Sequence, residues 1–152
     1  MIHPGVQQIL ASVIDAVERE IAPAVEDEYA ASLCRTVAQM LRAVRVRVDA
    51  EPRALAEDNA ELRGLLAGWG DDLPRHVRHQ VAEAVAREPE PRYPALPELQ
   101  EDALRLRAAL VSVIDAVPQE DHPVRVAARR YLRRQLEREQ AWQQDAFTGP
   151  RR

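Results

Sequence analysis

With 152 residues, 46% of them apolar and only 4% aromatic, the chain is long enough for one domain whose core must come from small aliphatic side chains. A net charge of −4 argues against nucleic acid as a bulk electrostatic partner, and a single cysteine, Cys34, excludes an internal disulfide and a multi-cysteine zinc site. All 21 basic residues are arginine, which excludes lysine chemistry such as a Schiff base or a Walker-type phosphate site. The alanine, leucine, valine, glutamate and arginine content, with five glycines, favours helices over a sandwich or barrel. No run approaches 18 apolar residues and no basic leader precedes an apolar segment, so a cytoplasmic protein without a membrane segment is expected.

Eleven prolines divide the chain into six helical patterns, because proline fits the first turn of a helix and breaks its interior. The first runs over residues 4–22, with Leu10, Val13, Val17 and Ile21 on one face, joined by Val6 and Ile14. The second spans 24–48 and has the longest unbroken stripe: Val25, Tyr29, Leu33, Val37, Met40, Leu41, Val44 and Val48. Its charges follow the helix dipole, with Glu26, Asp27 and Glu28 at the start and Arg42, Arg45 and Arg47 at the end. A third helix is expected from Pro52 to about Trp69-Gly70, through Leu55, Leu62, Leu65 and Leu66. Asp71-Asp72 offers an N-cap for a short fourth helix through Val77, Val81 and Val85.

Four prolines in residues 88–97 predict an extended connector. The fifth helix places Leu99, Ala103, Leu106, Leu110, Val113 and Val117 at alternating spacings of four and three, a packing seam. The sixth starts around Asp121 to Pro123, reaches Ala146, and has a thin apolar side of Val124, Ala128, Tyr131, Leu132, Leu136 and Trp142. The reading is an all-α bundle of five to six helices, one domain over residues 1–147 with a disordered tail at 148–152. Residues 12–17, Ser-Val-Ile-Asp-Ala-Val, recur unchanged at 112–117, and Glu20 and Pro23 recur in register as Glu120 and Pro123. The echo predicts two similar antiparallel hairpins joined by the short helix and the proline-rich segment.

The most distinctive charge feature is on the last helix. Arg125, Arg129 and Arg133 form one i, i+4 stripe, and Arg130, Arg134 and Arg138 form another beside it. The first stripe is the candidate site for an anionic small molecule, a CoA thioester or a nucleotide. The bland alternative is a solvated face whose arginines pair with carboxylates on neighbouring helices. His76 and His79, three apart, lack the third ligand a zinc site needs, and His3 and His122 sit beside helix-starting prolines. Carboxylates gather at Asp15, Glu18 and Glu20, at 26–28, and at Glu57, Asp58 and Glu61, without the paired motifs of di-metal bundles. Asp15, repeated as Asp115, is expected to pair with an arginine on an adjacent helix, and Cys34 to be a small buried side chain. Asn59, unfavourable within a helix, points to a buried polar contact. No cofactor or metal is called for.

Residues 9–66 carry Glu18-Arg19-Glu20 before Ala22-Pro23, then Arg35 and Val37, then an acidic stretch ending in Leu65-Leu66. In this pattern the first half resembles a family of small all-helical proteins encoded beside aminoglycoside-phosphotransferase-like kinases and acyl-CoA dehydrogenases. The chain departs from it at Ala38-Gln39, where the family carries Ala-Asn. The resemblance implies an accessory or binding partner of such an enzyme and transfers no catalytic residue. The functional expectation is therefore a non-enzymatic bundle acting by protein–protein contact, with itself or with a kinase-like or acyl-CoA enzyme. Thin apolar faces on the fourth and sixth helices are the expected partner surface. Binding of an anionic small molecule by the arginine stripe is the alternative, and a metal-dependent hydrolase using helix carboxylates is the second.

Overall fold

The prolines do not all cut the chain where their spacing predicts. In the computed structural model, which describes residues 4–89 and 94–146 and, for residues 71 and 141–146, the backbone alone, every element is a helix or a turn. α1 (Val6–Ala16) runs on through a π-helical turn (Val17–Ile21) into α2 (Ala22–Ala24), so Pro23 lies near the end of the first helical run and does not open a second. The π turn has a local reason. In α register the Arg19 carbonyl would look to the Pro23 nitrogen, which has no hydrogen to give, and an i→i+5 register shifts the bonding past it. The Ala22 N–H bonds the Val17 carbonyl in this way.

α3 (Glu28–Gly68) is one helix of 41 residues with Pro52 inside it, where the sequence predicts a break and a third helix. Asp27 starts it, its Oδ1 accepting the Ala30 N–H at 2.7 Å. Pro52 leaves the Val48 carbonyl without its α-helical donor and crowds it with the ring, a cost that the flanking turns absorb. The two expected helices are thus one. A 3₁₀ turn (Gly70–Asp72) follows, then α4 (Arg75–Ala86), whose N-cap position is taken by Pro74 and not by the expected Asp71-Asp72. α5 (Leu96–Ala116) has Pro97 in its first turn and Glu98 accepting the Ala95 N–H at 3.0 Å. α6 (Pro123–Ala146) closes the described chain. At its start the His122 Nδ1 accepts the Val124 N–H at 3.3 Å, a capping contact. Residues 90–93 of the expected connector and the expected tail at 148–152 lie outside the described residues, as does His3. Among the described residues no helix is long and apolar enough to cross a membrane.

The chain forms two compact units, residues 51–138 and residues 1–50 with 139–152, and the division falls beside Pro52. The larger unit has a closed core. Leu62, Leu66 and Trp69 of the α3 end and the residue after it, Val77 and Val81 of α4, Leu106, Leu110 and Val113 of α5, and Val124, Ala128 and Tyr131 of α6 are buried together. The seam expected on α5 holds at every position, from Leu99 to Val117. In the smaller unit, by contrast, Ile14 and Ala38 are the buried hydrophobics among the described residues.

Candidate functional site

The arginine stripe of α6 is spread among different tasks. Arg125 donates from Nη1 to the Ile114 carbonyl at 2.9 Å, and Arg129 donates to the Glu120 carbonyl with the Glu120 carboxylate 3.8 Å away. Both therefore fasten the turn between α5 and α6, and Arg125 serves an orphan carbonyl of the last turn of α5. Arg133 is exposed, with no ion pair among the described residues.

The neighbouring stripe does something the sequence understates. Asp58, buried on α3, accepts from Tyr131 Oη at 2.9 Å, Arg107 Nη2 at 3.1 Å and Arg138 Nη2 at 2.5 Å. Arg138 also donates from Nη1 to Glu61 at 2.6 Å, and Arg134 grips the other Glu61 oxygen through Nε at 2.7 Å. These are charge-assisted contacts around a buried Asp58, with Glu61 and the guanidiniums partly exposed at its rim. Burial acts against the Arg138 charge, and the bonds to Asp58 and Glu61 outweigh it, so its pKa is raised. Burial first, then the Asp58 carboxylate, push the Tyr131 phenol well above its usual range. Tyr131 is thus a proton donor to Asp58 at any physiological pH.

A second cluster closes the end of α4. Arg63 donates to the Val85 carbonyl at 2.5 Å and Arg105 to the Arg87 carbonyl at 2.5 Å, so two guanidiniums sit on the negative end of that helix. Asp102, only 2% exposed, lies between them, 2.6 Å from Arg63 Nη2 and bonded to Arg105. Asn59 donates to the Leu99 carbonyl at 2.9 Å, the buried polar contact its position implied. Arg134 and Arg138 thus pair with carboxylates of a neighbouring helix, as the solvated-face alternative expects, while both remain partly exposed.

The remaining candidate ligands are dispersed. Asp15 pairs with Arg19 on its own helix, 3.7 Å away and exposed, rather than with an adjacent helix. His79 sits 3.7 Å from Glu83, both exposed. Cys34 is a free, half-buried thiol, more open than expected. No three His, Cys, Asp or Glu among the described residues are grouped so as to hold a metal ion.

What stands out is apolar and lies in the smaller unit. α1 and the π turn after it lean on the first half of α3 through Gln7 Nε2 to the Arg45 carbonyl at 2.8 Å and Arg42 Nη2 to Glu18 at 2.5 Å. As the α1 number rises the α3 number falls, so the two run antiparallel, as the short connection between them requires. On α3, Tyr29, Leu33, Val37, Met40, Val44 and Val48 are all exposed, Tyr29 by 73% and Met40 by 64%. On α1, Val6, Ile9 and Val13 are exposed as well. At about 100° per residue, the α1 set lies about 110° round from the buried Ile14 and the α3 set about 130° round from the buried Ala38, in the same rotational sense. Between antiparallel helices the same sense means the same side. The two stripes therefore share one face of the hairpin.

The longest apolar stripe of the sequence is thus on the surface. The expected partner face on the fourth helix is not there: Val77, Val81 and Ala84 of α4 are core. On α6, Leu132 and Leu136 are exposed. Compared with protein families, with curated proteins and with solved structures, the chain matches none.

Proposed function

We propose that the protein works by protein–protein contact, and that the contact face is the apolar side of the α1–α3 hairpin. One observation carries the reading: the face combines the exposed stripes of two antiparallel helices, Val6, Ile9 and Val13 with Tyr29 to Val48. Fully burying one such side chain is worth ~1.5–3 kcal/mol, so leaving a row of them half in water is unfavourable unless something covers it. Scattered single hydrophobics on a surface need no explanation, but a continuous row along one helix over about 28 Å does.

The alternative of an anionic small molecule on α6 has less behind it, since Arg125 and Arg129 already serve carbonyls of their own turn. A kinase-like or acyl-CoA enzyme as the partner rests on the sequence resemblance alone.

The test is purification of the tagged full chain from its native host, beside the variant Val37→Arg/Met40→Arg. The wild type is expected to carry a protein in stoichiometric amount, a second copy or another chain, that the variant loses. Equal recovery by both, or none by either, removes the reading.

A further inference from the structure

Resting on that contact reading, we infer that the occupant of the face is a second copy of this chain, docked antiparallel about a twofold axis level with the Ala38–Gln39 peptide of α3. The spacing of the stripe is the first argument. Positions 29, 33, 37, 40, 44 and 48 read the same from both ends, with steps of four, four, three, four and four. Under a half-turn Tyr29 meets Val48 of the second copy, Leu33 meets Val44, and Val37 meets Met40. Each exposed apolar residue then has an exposed apolar mate. An isologous dimer requires a patch that is its own complement in this sense.

Charge supplies the direction. Glu26, Asp27 and Glu28 stand exposed at the start of the stripe, and Arg45, Arg47 and Asp49 stand exposed towards its end. An antiparallel mate opposes the two helix dipoles and sets the acidic start of each stripe against an end of mixed charge, Arg45 and Arg47 with Asp49. A parallel mate would set the three acids of one start on the three acids of the other.

Area agrees. At 25 cal/mol per Å², a buried side chain worth ~1.5–3 kcal/mol corresponds to ~60–120 Å², so the half-exposed set on this face offers on the order of 500 Å² of apolar surface. A standard interface takes ~800 Å² per partner, about 60% of it apolar, which is ~500 Å². One hairpin face against its twin meets that requirement and forms a four-helix arrangement with a shared apolar centre.

The experiment uses the full chain in two measurements. Sedimentation equilibrium from low to high micromolar protein is expected to give the mass of two chains. Val37→Arg, which sets two guanidiniums near the axis, should weaken association more than about 30-fold with helical circular dichroism unchanged. Met40→Arg, at a more exposed site, should do the same where Val37→Arg disturbs the fold. In a Cys34→Ser background, nitroxides at Glu28→Cys should then lie ~32 Å or more apart along the helices, and those at Thr36→Cys within ~8 Å along the same direction. Short distances at both sites mean a parallel pair and overturn the inference, as does a dimer indifferent to both arginine variants. A one-chain mass at every concentration overturns it as well. If the wild type then still loses a different bound protein on Val37→Arg/Met40→Arg, the contact reading stands and only the second copy falls.

Discussion

The hexapeptide Ser-Val-Ile-Asp-Ala-Val occurs twice and is buried in two different ways. In the first copy Val13 is 42% exposed and Ile14 is covered, whereas in the second Val113 is wholly buried and Ile114 only partly. The helix around the first copy continues through a π turn past Pro23, while the second copy ends α5 at Ala116 and Pro123 begins α6 after a turn. One sequence thus presents a different side to its surroundings in each place. What sets the side is the company. Around residues 112–117 stand α4 and α6 with a closed core, and around 12–17, among the described side chains, stand the first half of α3 and an open flank. The same contrast separates the two units, one sealed by packing and buried charge, the other by little of either.

Substitutions in matched pairs should expose that difference, the largest first. Val113→Asp forces a charge into a sealed core and should cost about 4 kcal/mol in urea unfolding, while Val13→Asp at sub-micromolar protein should stay within about 0.5. Similar costs at both sites would erase the distinction between the units. Asp58→Ala removes the shared acceptor of Arg107, Arg138 and Tyr131 and should cost about 3 kcal/mol, whereas Glu18→Ala, which breaks a pair one-third exposed on both sides, should cost under about 1. Pro52→Ala restores a donor inside α3 and should stabilise by about 1–3 kcal/mol, and a loss of stability would show that the proline is required where the two units divide. The smallest effect is one of pH. Tyr131 holds its proton more tightly folded than unfolded, so above about pH 10, where unfolded tyrosine ionises, stability should fall as pH rises. Tyr131→Phe should flatten that slope, and an unchanged slope would place the titration elsewhere.

Much of the larger unit is legible in the chain itself. The seam from Leu99 to Val117 is regular and has helices on several sides, so periodicity and burial coincide. Asn59 likewise betrays its buried bond by being a poor helix former in a helix. Periodicity fails in the smaller unit because it reports that a stripe wants cover without saying whether the same chain provides it. Tyr29 to Val48 form the longest stripe of all and remain outside. Pro52 and Pro23 mislead for a related reason: a proline penalises a helix by a few kcal/mol locally, and a long helix or a π turn absorbs it. The Asp58–Arg138–Glu61 network shows only its members in the sequence, as i, i+4 arginines and a carboxylate cluster. Their burial depends on Tyr131 and Arg107 arriving from other helices, which no local pattern records.

The measurement that bears most directly on the contrast between an open unit and a sealed one is amide hydrogen exchange of the full chain as a function of protein concentration. Residues 99–113 should exchange slowly at every concentration, through opening of the closed core. Residues 29–48 should exchange faster at low concentration and become protected as concentration rises and the apolar face is covered. Protection of residues 29–48 that equals that of α5 and does not change with concentration would contradict the account.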